Sequence, residues 1–278
     1  MKPKALAPLL AVLALCGTAG RSPGAAADAP DAPADWLRSV NGQRLKASWR
    51  LTVEMALSND RGFRRDLVLD TRWAAWKDGT ATLAVVTEPS SLRGTALLSR
   101  EEVRPGAPDR SYVFLNTRDP KVTEVSEEAR SEGLLGSDIS HDDGQRLIDP
   151  SGYQLSLLED APCGQGRCAR VVGVRRRPRQ GAFDHDRAVW WIDRGRKEIA
   201  KLELRAAGRP LKTLEVTEWA EAGGVSIPRR QTMTHHQLGS RTSLTLRRFE
   251  SVPSFPREDF APERLPEIAR SAVSRPAL

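Results

Sequence analysis

The sequence predicts a mainly β (α+β) protein built on a single large, curved antiparallel sheet. Three observations carry that expectation: strict apolar/polar alternation over an unusual length from Leu45, roughly ten strand-like segments at intervals of about 10–20 residues, and hairpin-length connections between them. Helical periodicity is scarce, and neither an internal repeat nor a Gly-rich phosphate loop is present.

Taken in order, Asp35 to Val40 has room for one or two helical turns. Leu45, Ala47, Trp49, Leu51, Val53, Met55 and Leu57 then fall on one face of a long strand, with Lys46, Ser48, Arg50, Thr52, Glu54 and Ser58 on the other. Asn59-Asp60-Arg61-Gly62 supplies turn chemistry. Leu67 and Leu69 continue the alternation, Ala81 to Val86 forms a third strand, and Tyr112 to Leu115 a short aromatic one. Leu92 to Leu98 and Asp142 to Leu147 are expected as short helices in loops. Tyr153 to Leu158 and Ala169 to Val174 make a hairpin around a cysteine loop, and Ala188 to Ile192 follows with Trp190 and Trp191. Ala200, Leu202 and Leu204 alternate with charged residues before a turn at Ala207-Gly208-Arg209, and Leu211 to Trp219 returns. Pro228 to His236 and Thr242 to Phe249 complete the set.

The first 27 residues are expected to contribute nothing to this fold. Lys2 and Lys4 precede the apolar run Ala5 to Cys16, and Ala25-Ala26-Ala27 closes the segment before Asp28, the pattern of a secretory signal peptide. The run is too short for the roughly 20 apolar residues a bilayer span needs. An alternative is lipidation at Cys16, but Leu15 sits where a lipobox wants a small residue. The expected organisation is a signal peptide at 1–27, a Pro/Ala/Asp linker at 28–35, one domain at 36–265 and a tail at 266–278. Export makes nucleic-acid partners unexpected and an oxidising, periplasmic location expected. The formal charge of +7 falls to +4 without Lys2, Lys4 and Arg21, and 36 acidic residues intersperse the basic ones, so no single-signed field dominates. Cys163 and Cys168 bracket Gly164-Gln165-Gly166-Arg167 and are expected to form a disulfide. No second Cys pair completes a zinc site.

A sheet of this size needs cover for its apolar face. Two stacked sheets would supply it; a single curved sheet wrapped on a few helices would instead leave a cavity suited to acyl chains, at about 0.8 kcal/mol per methylene kept from water. Composition does not choose between these. The segments Pro89 to Leu98 and Gly136-Ser137-Asp138-Ile139-Ser140-His141-Asp142-Asp143, with the aromatic strand Ser111 to Asn116 between them, resemble the exported outer-membrane lipoprotein-sorting proteins, similar to LolA. Trp190-Trp191-Ile192-Asp193, the stretch Leu202 to Leu211, Pro228, the Thr242 strand and Asp259-Phe260 extend the resemblance over roughly residues 45–265. His141 and Asp142 stand where that family has Tyr and Glu, and Gly144 where it has an apolar residue. The resemblance implies a LolA/LolB-like incomplete β-barrel closed by short helices. It also implies a non-enzymatic role without cofactor, and lipid or acylated protein as cargo. Some relatives work with transporters of the resistance–nodulation–division type, which makes an inner-membrane transporter an expected partner.

Individual residues carry two readings each. Trp49, Leu51, Val53 and Met55 either line a ligand cavity or pack against a covering helix. Asp138, His141, Asp142 and Asp143 could act on substrate or hold a metal. They could equally serve a short helix, with Ser137 or Asp138 as its cap. Asp184-His185-Asp186 reads as a polar loop, and His235 and His236 alternate to opposite faces of a strand and cannot jointly chelate. Gly94 and Gly136 answer to backbone geometry. Arg175-Arg176-Arg177-Pro178-Arg179 is a solvated strand end or a contact for anionic headgroups. Two functions are therefore carried forward: a carrier or binder of lipid or lipid-modified protein, and a sensor or adaptor using the same fold for protein contacts. An enzyme working through Asp138–Asp143 is the third.

Overall fold

A computed structural model describes residues 32–103, 109–143, 148–177 and 184–274, together with the backbone but not the side chain of Ala222. Thirteen antiparallel strands form one open sheet: β1 (Ser48–Asn59), β2 (Arg64–Trp76), β3 (Gly79–Glu88), β4 (Ala96–Glu102), β5 (Arg110–Leu115), β6 (Lys121–Glu124), β7 (Tyr153–Cys163), β8 (Gly166–Arg175), β9 (Arg187–Asp193), β10 (Glu198–Ala206), β11 (Arg209–Ala222), β12 (Val225–His235) and β13 (Ser240–Val252). Among the described residues two α-helices accompany it, α1 (Pro33–Arg44) and α2 (Leu265–Ser274), with five short 3-10 turns. The single curved sheet with few short helices is the architecture the sequence led one to expect.

Strand order is β6-β5-β4-β3-β2-β1-β13-β12-β11-β10-β9-β8-β7. The first and last strands pair along their whole length, from Ser48 opposite Val252 to Asn59 opposite Ser240, with one bulge at Thr52/Val53. The two edges, β6 and β7, are consecutive in sequence. The segment 125–152 joins the two edges, and its described parts, 125–143 and 148–152, lie over one face of the sheet as a strap.

Because side chains alternate, cross-strand pairs trace each face through the sheet. Trp49, Leu51, Val53, Met55 and Leu57 of β1 share a face with Leu67, Leu69 and Trp73 of β2. That face continues through β13, β12 and β11 to Leu204, Trp190 and Val171, where α1 covers it with Trp36, Leu37 and Val40. α2 packs on the other side. Ala74, Leu83, Leu98, Tyr112 and Phe114 point away from the first face and meet Phe260, Leu265 and Ile268. The buried positions of α2 (Leu265, Ile268, Ala269, Ala272) follow the i, i+3, i+4, i+7 spacing of an amphipathic helix.

Several boundaries differ from expectation for identifiable reasons. Residues 265–274 are a core helix, so the domain extends into the expected tail; Pro33 opens α1, so the helix begins inside the expected linker. Leu45 caps α1, and the strand starts at Ser48. Leu92–Leu98 is not helical. Leu92 and Arg93 lie in a tight turn, Gly94 leaves it at a φ of 82°, and β4 begins at Ala96. Of the other helix expected in a loop, Asp142 and Asp143 lie in a turn, while 144–147 fall outside the described residues. The signal peptide, Cys16 and the first part of the linker also fall outside them. Pro228 sits within β12 opposite Trp219, beside a register shift that removes the need for its missing N–H.

Candidate functional site

The cavity face has three covers. α1 lies over β7–β10, the strap crosses one end of the central strands, and the loop residue Leu92 packs with Leu135 of the strap onto the apolar cluster of β1 and β2. Between them remains a cavity of about 70 Å³. Its wall holds Trp49, Leu51 and Val53 of β1, Thr71 and Trp73 of β2, and residues of β12 and β13 including Ile227, Leu244 and Leu246. Met55 belongs to the same buried cluster, farther along β1, and does not line the cavity. At one end stands an ion pair between Arg44, in the last turn of α1, and Glu198 at the start of β10, at 3.2 Å, both side chains largely buried.

Besides the apolar contacts of Leu135 and Ile148, the strap is held by polar groups. The Asp138 carboxylate accepts hydrogen bonds from the hydroxyls of Ser240 and, at 2.8 Å, Thr242; the Asp138 backbone N–H donates to the Thr242 hydroxyl at 2.9 Å. Lys212 of β11 reaches the Asp143 carboxylate at 2.7 Å, and with side chains 3% and 8% exposed this pair is shut away from water. Ser140 and Asp143 exchange side-chain-to-backbone hydrogen bonds at 3.0 and 3.1 Å, the reciprocal pattern of a capping box. Ser140, rather than Ser137 or Asp138, closes the turn at 141–143 in this way. Ser137 bonds the backbone of Ile139 instead. Asp142 pairs with Arg130 at 3.1 Å, and Asn41 of α1 clamps the backbone of Ile148 with both atoms of its amide.

That arrangement accounts for the loop carboxylates as fasteners. His141 lies half-buried among them; burial first, then the Arg130 guanidinium, pushes its pKa down to about 4 against an opposing pull from Asp142. His235, beside Lys212 and Ser240 in register, is also lowered, by burial and then Lys212, while Asp138 and Asp143 pull the other way and His236 adds to the lowering. His236 points to the opposite side and meets the Thr213 hydroxyl at 2.8 Å. No group of three or more His, Cys, Asp or Glu among the described residues is placed to hold a metal ion. Gly136, at a φ of 77°, brings the strap so close that an added Cβ would sit 3.0 Å from the Arg65 guanidinium.

The remaining sequence candidates are placed elsewhere. Cys163 and Cys168 form the disulfide at the tip of the β7–β8 hairpin. In the Asp184–Asp186 loop, His185 bonds the Tyr153 hydroxyl at 3.0 Å and Asp186 accepts the Ala207 N–H, tying the loop to the β10–β11 turn. Arg175 and Arg176 engage Tyr153, one over the ring and one at its carbonyl; Pro178 and Arg179 lie outside the described residues. A wider, more open groove of about 440 Å³ on the opposite face sets Leu158, Val189 and Trp191 among arginines, Asp186 and Glu203. Among the described residues no helix is long and apolar enough to cross a membrane.

Sequence alternation pointed to the β1 side of the cavity. Thr71 and Trp73 carry the same signal, since they continue the face of Leu67 and Leu69. Arg44, Glu198 and the β12 and β13 residues depend on long-range register and carry no local sign.

An open antiparallel sheet of this kind, crossed by a strap and partly covered by helices, is a LolA-like fold. It superimposes on a domain named for outer-membrane lipoprotein sorting from Vibrio parahaemolyticus with a TM-score of 0.74 at 19% identity, covering 84% of this chain and 100% of that one. A DUF1329 family protein from Desulfovibrio piger gives 0.75 at 16% identity over 84% and 97% of the two chains. A LolA superfamily protein from Nitrosomonas europaea gives 0.61 at 18% identity over 82% and 97%. No curated protein matches the chain. Residues 78–267 match the model of a family described as "Uncharacterized protein", and the chain belongs to that family.

Proposed function

We propose that this protein is a non-catalytic periplasmic carrier or binder of lipid or lipid-modified protein, with acyl chains received in the cavity beside Trp49, Leu51 and Val53. The observation that supports the reading is the position of that cavity: it lies in the buried apolar cluster of β1 and β2, on the face that α1, the strap and the β3–β4 loop cover. Its lining is aliphatic and indole surface, where each methylene withdrawn from water gains about 0.8 kcal/mol. At about 70 Å³ it is roughly half the size of an engineered cavity that admits benzene, so a full acyl chain enters only if a cover moves. The strap is the mobile part in this scheme, because its anchors are hydrogen bonds and ion pairs that water can replace once the strap lifts. The disulfide supports an oxidising location. Transfer would need a partner that competes for the cargo, such as an inner-membrane transporter, with transient contact of the Arg175–Arg177 end with anionic headgroups.

Native mass spectrometry of protein purified from its own periplasm tests this. Copurifying acyl species support it, and a clean apo protein after gentle extraction counts against it. The smallness of the cavity favours a second reading, a sensor or adaptor that uses the same fold for protein contacts and holds no lipid. The apo outcome would select it.

A further inference from the structure

We propose that the cavity selects an acyl ester rather than bare hydrocarbon, with the ester carbonyl accepting hydrogen bonds from the Trp49 indole N–H and the Thr71 hydroxyl. This rests on the acyl-chain reading above and deepens it. Trp49 and Thr71 stand on adjacent strands of the cavity face, since Trp49 opposes Trp73 and Thr71 opposes Leu51. Both line the cavity and are nearly inaccessible to water, at 1% and 6% exposure. Yet neither Trp49 Nε1 nor Thr71 Oγ1 has a hydrogen-bond partner among the described residues. Buried polar atoms in native proteins are almost always paired, and the exceptions ask for a ligand or a water.

The pair does not stand alone. Cross-strand register continues the Trp49–Trp73 row to Thr82, Ser99 and Ser111, one residue on each of β3, β4 and β5, all on the cavity face. The hydroxyls of those three are buried and likewise without a partner among the described residues. Strands lie about 4.8 Å apart, so the row is a line of oxygen-reading groups leading away from the cavity wall. An alkane laid in the cavity would leave the two wall donors unpaired. An acyl ester satisfies them at its carbonyl, lays its methylenes on Leu51, Val53 and Leu246, and points its oxygen-rich head along the hydroxyl row.

The test uses the full-length exported protein and displacement of N-phenylnaphthylamine fluorescence by two probes below their aggregation limits: 1-myristoylglycerol and 1-O-tetradecylglycerol, which differ only in the ester carbonyl. The ester should bind about tenfold more tightly, the worth of one to two neutral hydrogen bonds. Trp49→Phe and Thr71→Val should each cut the preference to about threefold, and the double variant should abolish it. The readout is the ester-to-ether ratio within each variant, since both side chains also line the cavity and their replacement shifts both affinities together; Thr71→Ser should keep the preference. Thermal midpoints identify any variant that has lost its fold, in which case Thr71→Ser against Thr71→Val decides alone. Equal binding of both probes to the wild type overturns the inference, leaves the acyl reading standing and assigns the two donors to water. Displacement by neither probe overturns the acyl reading itself. A preference that survives the double variant places carbonyl recognition elsewhere and overturns the assignment.

Discussion

Leu83 and Ala84 are consecutive residues of β3, yet they face opposite solutions to the same problem. Leu83 enters a core sealed by α2, where Trp76, Phe255 and Phe260 interlock edge to face at centroid distances of 5.4 and 5.8 Å. Ala84 faces the other way, on the side that holds the cavity, the unpaired hydroxyls and the strap. One side is closed by the chain's own aromatic and aliphatic groups. The other sets aliphatic and indole surface beside unpaired hydroxyls, under a cover fastened by hydrogen bonds and ion pairs. A sheet therefore need not be stable and receptive on the same face; α2 supplies the stability that frees the cavity face to remain incompletely packed.

The largest effect should come from breaking the sealed side. Phe260→Ala should cost about 4 kcal/mol, the usual range for a buried aromatic, with little change in probe affinity. Leu51→Ala, beside a void that already exists, should cost about 2 kcal/mol and weaken probe binding. Chemical denaturation alongside probe titration checks both, and similar stability losses with similar binding losses would erase the contrast.

Removing one side of the Lys212–Asp143 pair comes next. Lys212→Met strands a carboxylate in a site closed to water and should cost about 3 kcal/mol; adding Asp143→Leu should recover most of it. If the strap is the moving cover, the double variant should also load the probe faster in stopped-flow mixing, because one polar fastening is gone while the core is intact.

Acid should loosen the cavity side selectively. His141 titrates near 4 when folded against 6.5 as a free group, so the unfolded chain takes up its proton first. The stability from keeping His141 neutral is present above about pH 6.5 and is lost as pH falls toward 4. With allowance for solvent around a half-buried ring, the loss is about 2 kcal/mol. His235, lowered by burial and Lys212 and opposed by Asp138 and Asp143, acts in the same direction. His141→Gln should flatten the stability curve between pH 6.5 and 4, measured by urea midpoints. An unchanged slope would mean that His141 is not held neutral within the strap.

How much of this was legible beforehand follows from the range of each interaction. Alternation along β1 disclosed Trp49, Leu51 and Val53, since the pleat alone decides which side they take. The strap's chemistry was misplaced because Asp138 and Asp143 find partners at Ser240, Thr242 and Lys212, which are remote in sequence. β4 hid behind Gly94, and α2 behind a short amphipathic stretch that gains its stability only from packing on β3 and β4. β6, four residues long with one apolar side chain, gave no periodicity to detect.

The smallest expected effect concerns the disulfide, and it tests whether either side depends on the hairpin tip. Cys163 and Cys168 close a loop with a sequence separation of 5, already turned at Gly164-Gln165, so the cross-link removes little freedom from the unfolded chain. Chain entropy sets an upper limit of about 2 kcal/mol. Neither cysteine lines the cavity, so Cys163→Ser with Cys168→Ser should shift the urea midpoint modestly and leave probe affinity unchanged. A fall in affinity would show that the hairpin holds α1, and with it the Arg44–Glu198 end of the cavity, in place. In that case the receptive face extends past the central strands to the sheet edge, and the division between a sealed side and a receptive one would have to be redrawn.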